Sequence, residues 1–171
     1  MMPEAEEGKK PSKRSPRALP LSAARLAAVQ ALYQMELAGT DAHDVVQEFC
    51  KHRISDETDA SCCQQADEAH FRAIVHGVVR DQRQIDPLLN ERLAEGWRLP
   101  RIDSILRAIL RSAAYELLSM PQTPARVVIN EYVDVARAFF DDGEEPGAVN
   151  AILDRLSREL RKDEFREPTD V

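Results

Sequence analysis

Glycine is scarce in this 171-residue sequence, with six residues at positions 8, 39, 77, 96, 143 and 147. No two share one phosphate-cradling loop, so neither G-x-G-x-x-G nor the phosphate-loop pattern can be drawn, and nucleotide binding by those routes is excluded. Cysteine is rarer still: Cys50, Cys62 and Cys63. An odd count with two adjacent thiols is a poor disulfide framework and fits a reducing compartment. Gathering Cys50, His52, Cys62, Cys63 and His70 gives no zinc spacing, because neighbouring thiols do not readily take adjacent corners of one tetrahedron. Long apolar runs are missing as well. Nothing approaches the ~18 consecutive apolar residues of a membrane helix, and residues 1–20 have no apolar stretch of the secretory kind. Together these absences place the expected protein in the cytoplasm, with no membrane, metal or cofactor.

Catalytic patterns are also wanting. There is no G-x-S-x-G elbow and no H-E-x-x-H pair. His70 and His76 stand six apart, on different faces of a helix, each expected to be partly exposed or satisfied by a neighbour. The acids Glu57, Asp59, Asp141-Asp142 and Glu144-Glu145 fall in predicted loops, where solvation is the default. With no nucleophile–base pair to name, the sequence does not read as an enzyme.

What the chain has is charge and helical periodicity. It is 43% hydrophobic and 31% charged, a balance that supports one domain around a single core. The net charge is −7, unevenly spread. Residues 1–7 hold Glu4, Glu6 and Glu7, and residues 8–30 hold Lys9, Lys10, Lys13, Arg14, Arg17 and Arg25 with no acid. Residues 1–30 therefore carry +3 and residues 31–171 carry −10. A basic arm on an acidic body suits a polyanion ligand, although a merely solvated tail reads the same way by charge alone. Residues 1–20 contain Pro3, Pro11, Pro16 and Pro20 and cannot bury enough apolar surface to offset their ordering entropy, so they are expected to be a disordered basic tail.

From Ser22, expected as an N-cap, a first helix should run to Gly39 with Leu26, Val29, Leu32, Tyr33 and Leu37 on its apolar stripe. A weaker helix follows at about 42–53, and 55–63 reads as a loop. A third helix, about 65–84, carries Phe71, Ile74, Val75, Val78 and Ile85 at helical spacing. Asp86-Pro87 reads as a cap-then-proline break opening a short helix to about Ala94. Gly96 ends it, and residues 97–100 form the hinge. Beyond it come a helix at 101–119, a second cap-then-proline start at Thr123-Pro124, and a last helix bearing Val149, Ile152, Leu153, Leu156 and Leu160. No segment alternates with period 2. The expectation is an all-α domain over 21–171, with halves at 21–97 and 98–162 of about three helices each and a short tail at 163–171.

The strings on these helices carry a resemblance. Residues 24–34 (ARLAAVQALYQ) look like the opening helix of NusB proteins. Ile109-Leu110-Arg111 with Tyr115-Glu116-Leu117, then residues 127–137 (VVINEYVDVAR), then residues 149–154 (VNAILD) resemble three later family segments in the right order, over roughly residues 24–162. The resemblance implies two packed three-helix bundles. It also implies binding of boxA-type leader RNA together with the ribosomal protein NusE, within the RNA polymerase antitermination complex that supports ribosomal RNA transcription. Arg25 matches the family's basic residue at the start of the first helix, and Tyr33 an aromatic near the RNA. Arginine would grip phosphate and a tyrosine ring would stack on an unpaired base; on residue pattern alone Tyr33 fits either the core or a stacking face. Where the family often has an arginine run, this chain has Pro20-Leu21-Ser22-Ala23-Ala24, with Lys13, Arg14 and Arg17 further out. Where it often has an aromatic before the Val-Asn pair, this chain has Ala148. Asn130, Glu131 and Asn150 are expected to hydrogen-bond backbone between helices rather than touch ligand. The partner contact is expected on the C-terminal half, with Asp141 and Asp142 at its rim, the chain itself being a monomer or weak homodimer. Two other readings are a helical protein–protein adaptor, and an accessory domain like those of ribosomal-RNA cytosine methyltransferases, which would require a further cofactor-binding domain.

Overall fold

Alanine, rather than the larger residues, decides how the first helix packs. The computed structural model describes residues 18–54 and 66–166. Helix α1 spans Ala18–Ala38, and its fully buried face is Ala24, Ala27, Ala28, Val29 and Ala31. The expected stripe was rotated from this: Leu26, Leu32 and Tyr33 are only half-buried and Leu37 is 63% exposed. Small side chains let α1 lie close against its neighbours, since the interaxial distance follows side-chain size. The helix also begins before Ser22. Pro20 stands in its first turns, where a proline's missing N–H costs little, and Ser22 Oγ donates to Glu131 Oε2 at 2.6 Å instead of capping. Residues 18–20 are thus helical; the rest of the expected tail, with Lys13, Arg14 and Arg17, lies outside the described residues.

Helix α2 spans Ala42–Phe49, capped by Asp41, and runs into a π-turn at Cys50–Ile54. Helix α3 spans Glu68–Asn90, capped by Asp67, whose own N–H donates to Pro20 O at 2.9 Å. All five expected apolar positions of α3 are buried. The predicted break at Asp86-Pro87 does not occur: Pro87 stays inside α3, in its last turn. Buried Ile85 and Leu89 hold both sides of the proline, and Asp86 accepts two bonds of 2.9 Å from Arg111 rather than capping a new helix.

A 3₁₀ turn at Leu99–Arg101 leads to α4, Ser104–Ser119, capped by Asp103. Helices α5 (Ala125–Phe139) and α6 (Glu145–Leu160) follow, and a 3₁₀ turn at Lys162–Phe165 is the last described element. Thr123 does not cap α5. The N–H of Ala125 is met by Glu164 Oε2 at 2.7 Å, reaching over from the closing turn. Arg161 in the same region donates to the carbonyls of Glu116, Leu117, Met120 and Thr123, so one arginine satisfies the open end of α4. Among the described residues there is no strand, and the all-α expectation of two three-helix groups, α1–α3 and α4–α6, holds. Helix α4 packs on α1 and α3 as well as on α5 and α6, so the two groups share one core. Gly77 marks how closely they meet: a Cβ there would sit 2.1 Å from the Tyr115 ring.

Candidate nucleic-acid interface

Four helices meet at one buried carboxylate. Glu116 is wholly buried on α4 and accepts from Arg25 Nε at 2.8 Å, Arg25 Nη2 at 2.9 Å and Tyr132 Oη at 2.5 Å. His70 Nε2 stands 3.0 Å from its other edge. Glu131 flanks the cluster, 3.6 Å from Arg25 Nη1 and bonded to Ser22. Burial pushes the Glu116 carboxyl up, but the bonds from His70 and Arg25, the arginine's charge and the Tyr132 hydroxyl outweigh it and hold the group at about 2. Burial beside this carboxylate drives the Tyr132 phenol well above its ordinary range. A buried charge is tolerable only when paired and fully hydrogen-bonded, and here α1, α3 and α5 each bring a partner to α4.

This corrects the reading of Arg25. At 2% exposure, with its fork committed to Glu116 and its remaining nitrogen facing Glu131, it is a framework residue and not a phosphate contact. The sequence signal was available: Arg25 lies among the alanines of the buried face, with Glu116 in a matching buried string. Glu131 bridges helices, but to the side chains of Ser22 and Arg25 rather than to backbone. Asn130 and Asn150 were expected to hydrogen-bond backbone between helices, and no such bond is seen among the described residues. Both are exposed and face a shallow groove between α5 and α6 with Asp134 and Arg137.

Tyr33 is half-buried at the C-terminal end of α1. It lines an apolar groove with Val29, Leu37, Phe49, Ile105 and Phe139, of which Leu37 and Phe139 are 63% and 36% exposed. A ring on the rim of such a groove has a face to offer. A larger cleft, of about 560 Å³, separates α1 from α3 and α4. Its charges are spoken for, Arg107 pairing with Glu36 and Arg111 with Asp86, so it offers an anion little. Asp141 and Asp142 stand exposed in the turn between α5 and α6, away from the buried cluster. Cys50 is buried behind α2, where burial pushes its thiol up to about 11; Cys62 and Cys63 lie outside the described residues.

The matches to known proteins settle the lineage. The model of the NusB family covers residues 22–158. The chain belongs to the NusB family. It is 54% identical over 143 residues to the transcription antitermination protein NusB of Bradyrhizobium diazoefficiens, covering 84% of this chain and 86% of that one. With the Sinorhizobium fredii protein of the same name it shares 52% over 139 residues, covering 81% and 86%. Among solved structures, T. maritima NusB superposes with a TM-score of 0.70 at 31% identity, over 85% of this chain and 96% of that one. A complex described as antitermination factors NusB and NusE with double-stranded RNA contains a chain that superposes at 0.66 over 81% of this chain and 96% of that one; at 20% identity it speaks to the NusB-family fold alone.

Proposed function

We propose that this NusB-family chain is an RNA-binding transcription antitermination factor, acting in the cytoplasm without catalysis. In this reading it binds boxA-type leader RNA with NusE as part of the RNA polymerase antitermination complex. The observation that carries the reading is its likeness, at 52–54% identity over more than four-fifths of the chain, to proteins named for that role. The geometry supports a division of labour. The buried Glu116 cluster holds the helices in register, leaving the half-buried Tyr33 at its groove as a proposed RNA contact; Lys13, Arg14 and Arg17, proposed on charge alone, lie outside the described residues. Asp141 and Asp142 are proposed as rim charges that steer a basic partner.

The test is a titration of a short U/A-rich single strand into the chain, with and without NusE. RNA affinity is expected to rise when NusE is present, and RNA must then tighten the protein–protein contact by the same factor. Equal affinity in both titrations rejects the cooperative reading. Removing residues 1–17, which leaves α1 whole, is expected to flatten the salt dependence by about 0.7 in log–log slope per lost phosphate contact.

A further inference from the structure

The connector between the two helix groups presents chemistry that neither the framework nor the partner surface uses. Trp97, the chain's single tryptophan, is 39% exposed. Arg98 and Arg101 beside it are exposed, and neither pairs with a carboxylate among the described residues. The arginines of the interior contrast with them: Arg25, Arg92, Arg107 and Arg111 are each tied to an acid. Glu95, also exposed, is the nearest acid before Trp97, and Asp103 beyond Arg101 is committed to the first N–H groups of α4.

The segment is not a slack loop. Gly96 turns the chain at φ +83, a conformation a side chain rarely adopts, and the Trp97 N–H returns to Ala94 O at 2.9 Å. Leu99, only 1% exposed, points into the core. Its N–H donates to Asn90 Oδ1 at 3.0 Å and its carbonyl accepts from Arg107 at 2.9 Å. Arg101 N–H closes the 3₁₀ turn on Arg98 O at 2.9 Å. The backbone is therefore fixed by α3 on one side and α4 on the other, with the aromatic and both guanidinium groups left outside.

We propose that Trp97, Arg98 and Arg101 form a second contact for single-stranded RNA, the indole stacking on one base and the arginines meeting the flanking phosphates. The proposal rests on the RNA-binding reading above. An exposed aromatic followed on one short pinned segment by two uncompensated cations suits an unpaired strand, since every base has a face and every linkage a charge. The body of this chain carries −10 over residues 31–171, so two unpaired cations held together stand against its prevailing field. A protein partner would call for a broader apolar surround, and here the aromatic is flanked by charge. Pinning the backbone lowers the ordering cost of binding.

The single tryptophan supplies the assay. A short U/A-rich single strand is titrated into the full chain while indole emission and, separately, RNA anisotropy are followed. Stacking is expected to quench the indole in step with binding, and Trp97→Ala to weaken binding about 5- to 150-fold. Arg98→Ala with Arg101→Ala is expected to reduce the log-affinity against log-salt slope by about 1.4. Trp97→Phe, which keeps a stacking face, is expected to retain most of the affinity, and unchanged helicity of each variant separates binding from folding. RNA binding by anisotropy with unaltered indole emission and full affinity in Trp97→Ala overturns this inference and leaves the RNA-binding reading standing. Quenching by NusE and not by RNA overturns it in favour of a protein contact. No RNA binding at all overturns both readings together.

Discussion

Replacing Glu116 by glutamine removes one charge and almost no volume, and so isolates what the buried cluster contributes. In the wild type the carboxylate accepts two bonds from Arg25 and one from Tyr132, with His70 at 3.0 Å. Glutamine offers one accepting oxygen, and its amide must point N–H groups at one side of a shell built of donors. Arg25, 2% exposed, is left as a buried cation facing only Glu131. Removing one partner of a buried pair costs about 3–5 kcal/mol. With a urea dependence of about 2 kcal/mol per molar, the midpoint should fall by about 1.5–2.5 M. Against a total stability of roughly 5–15 kcal/mol, the variant is expected to fold but with little reserve. The double variant Arg25→Met, Glu116→Leu should lose less than the sum of Arg25→Met and Glu116→Leu, because neither member of the central pair is left as a buried charge without the other. Urea unfolding followed by circular dichroism measures each variant. A midpoint within 0.3 M of wild type for Glu116→Gln, on the ~0.6 kcal/mol that this slope implies, would refute the claim that the cluster holds the helices together. RNA affinity separates the roles of Arg25: in Arg25→Met, measured well below the unfolding midpoint, it should change less than about twofold, on the order of the ~0.4 kcal/mol that such a ratio represents.

The same carboxylate predicts an acid limb. Its folded value of about 2 lies below the ~4.3 of an unfolded glutamate, so its contribution is fully present above pH ~4.3 and drains away as the pH falls toward 2. About 3 kcal/mol should be lost across that window, and a pH series of urea midpoints that stays flat there in wild type contradicts the assignment. Arg161→Ala removes a donor shared by four carbonyls at and just beyond the end of α4, leaving those of Leu117 and Thr123 without it, and breaks the pair with Glu164; it should cost about 3 kcal/mol by thermal unfolding, and a change below 1 kcal/mol would mean water replaces the arginine freely. Tyr33→Ala should weaken RNA binding by about 1–3 kcal/mol with a smaller loss of stability than Glu116→Gln, and the reverse order would assign the ring to the core.

Much of the fold is readable from residue spacing, and the exceptions share a cause. Periodicity places α3, α4, α5 and α6 because their buried residues are large and recur every three or four positions. On α1 the same rule follows the large residues and rotates the stripe, since the close contact is made by alanines that carry little hydrophobic signal of their own. Asp86-Pro87 and Thr123-Pro124 carry the local signature of helix starts, and both are overridden from a distance. Arg111 draws Asp86 away in the first case, and Glu164 supplies the missing acceptor to Ala125 in the second. Such partners, 25 and 39 positions off, are invisible to a reading that looks one turn ahead. The site is less legible than the fold for a related reason. An arginine is read as a ligand contact because arginines are usually at the surface, and only the arrangement of four helices shows that Arg25 is not.

The strings that mark the family are also the ones that build this cluster. Residues 24–34 contain Arg25, the Tyr115-Glu116-Leu117 string contains Glu116, and residues 127–137 contain Glu131 and Tyr132. A network in which every buried polar atom depends on every other permits few single replacements, because each orphaned partner costs more than the bond itself was worth. The strings that resemble the family thus include much of this internal polar framework, and that framework says little about which ligand is bound. The ligand-facing residues answer to no such constraint. This chain has no arginine run next to α1 and has Ala148 before Val149, so the charge and stacking face its proposed ligand needs are to be sought elsewhere. The connector with Trp97, Arg98 and Arg101 is the place proposed for that compensation, its backbone held at Leu99 by Asn90 of α3 and Arg107 of α4.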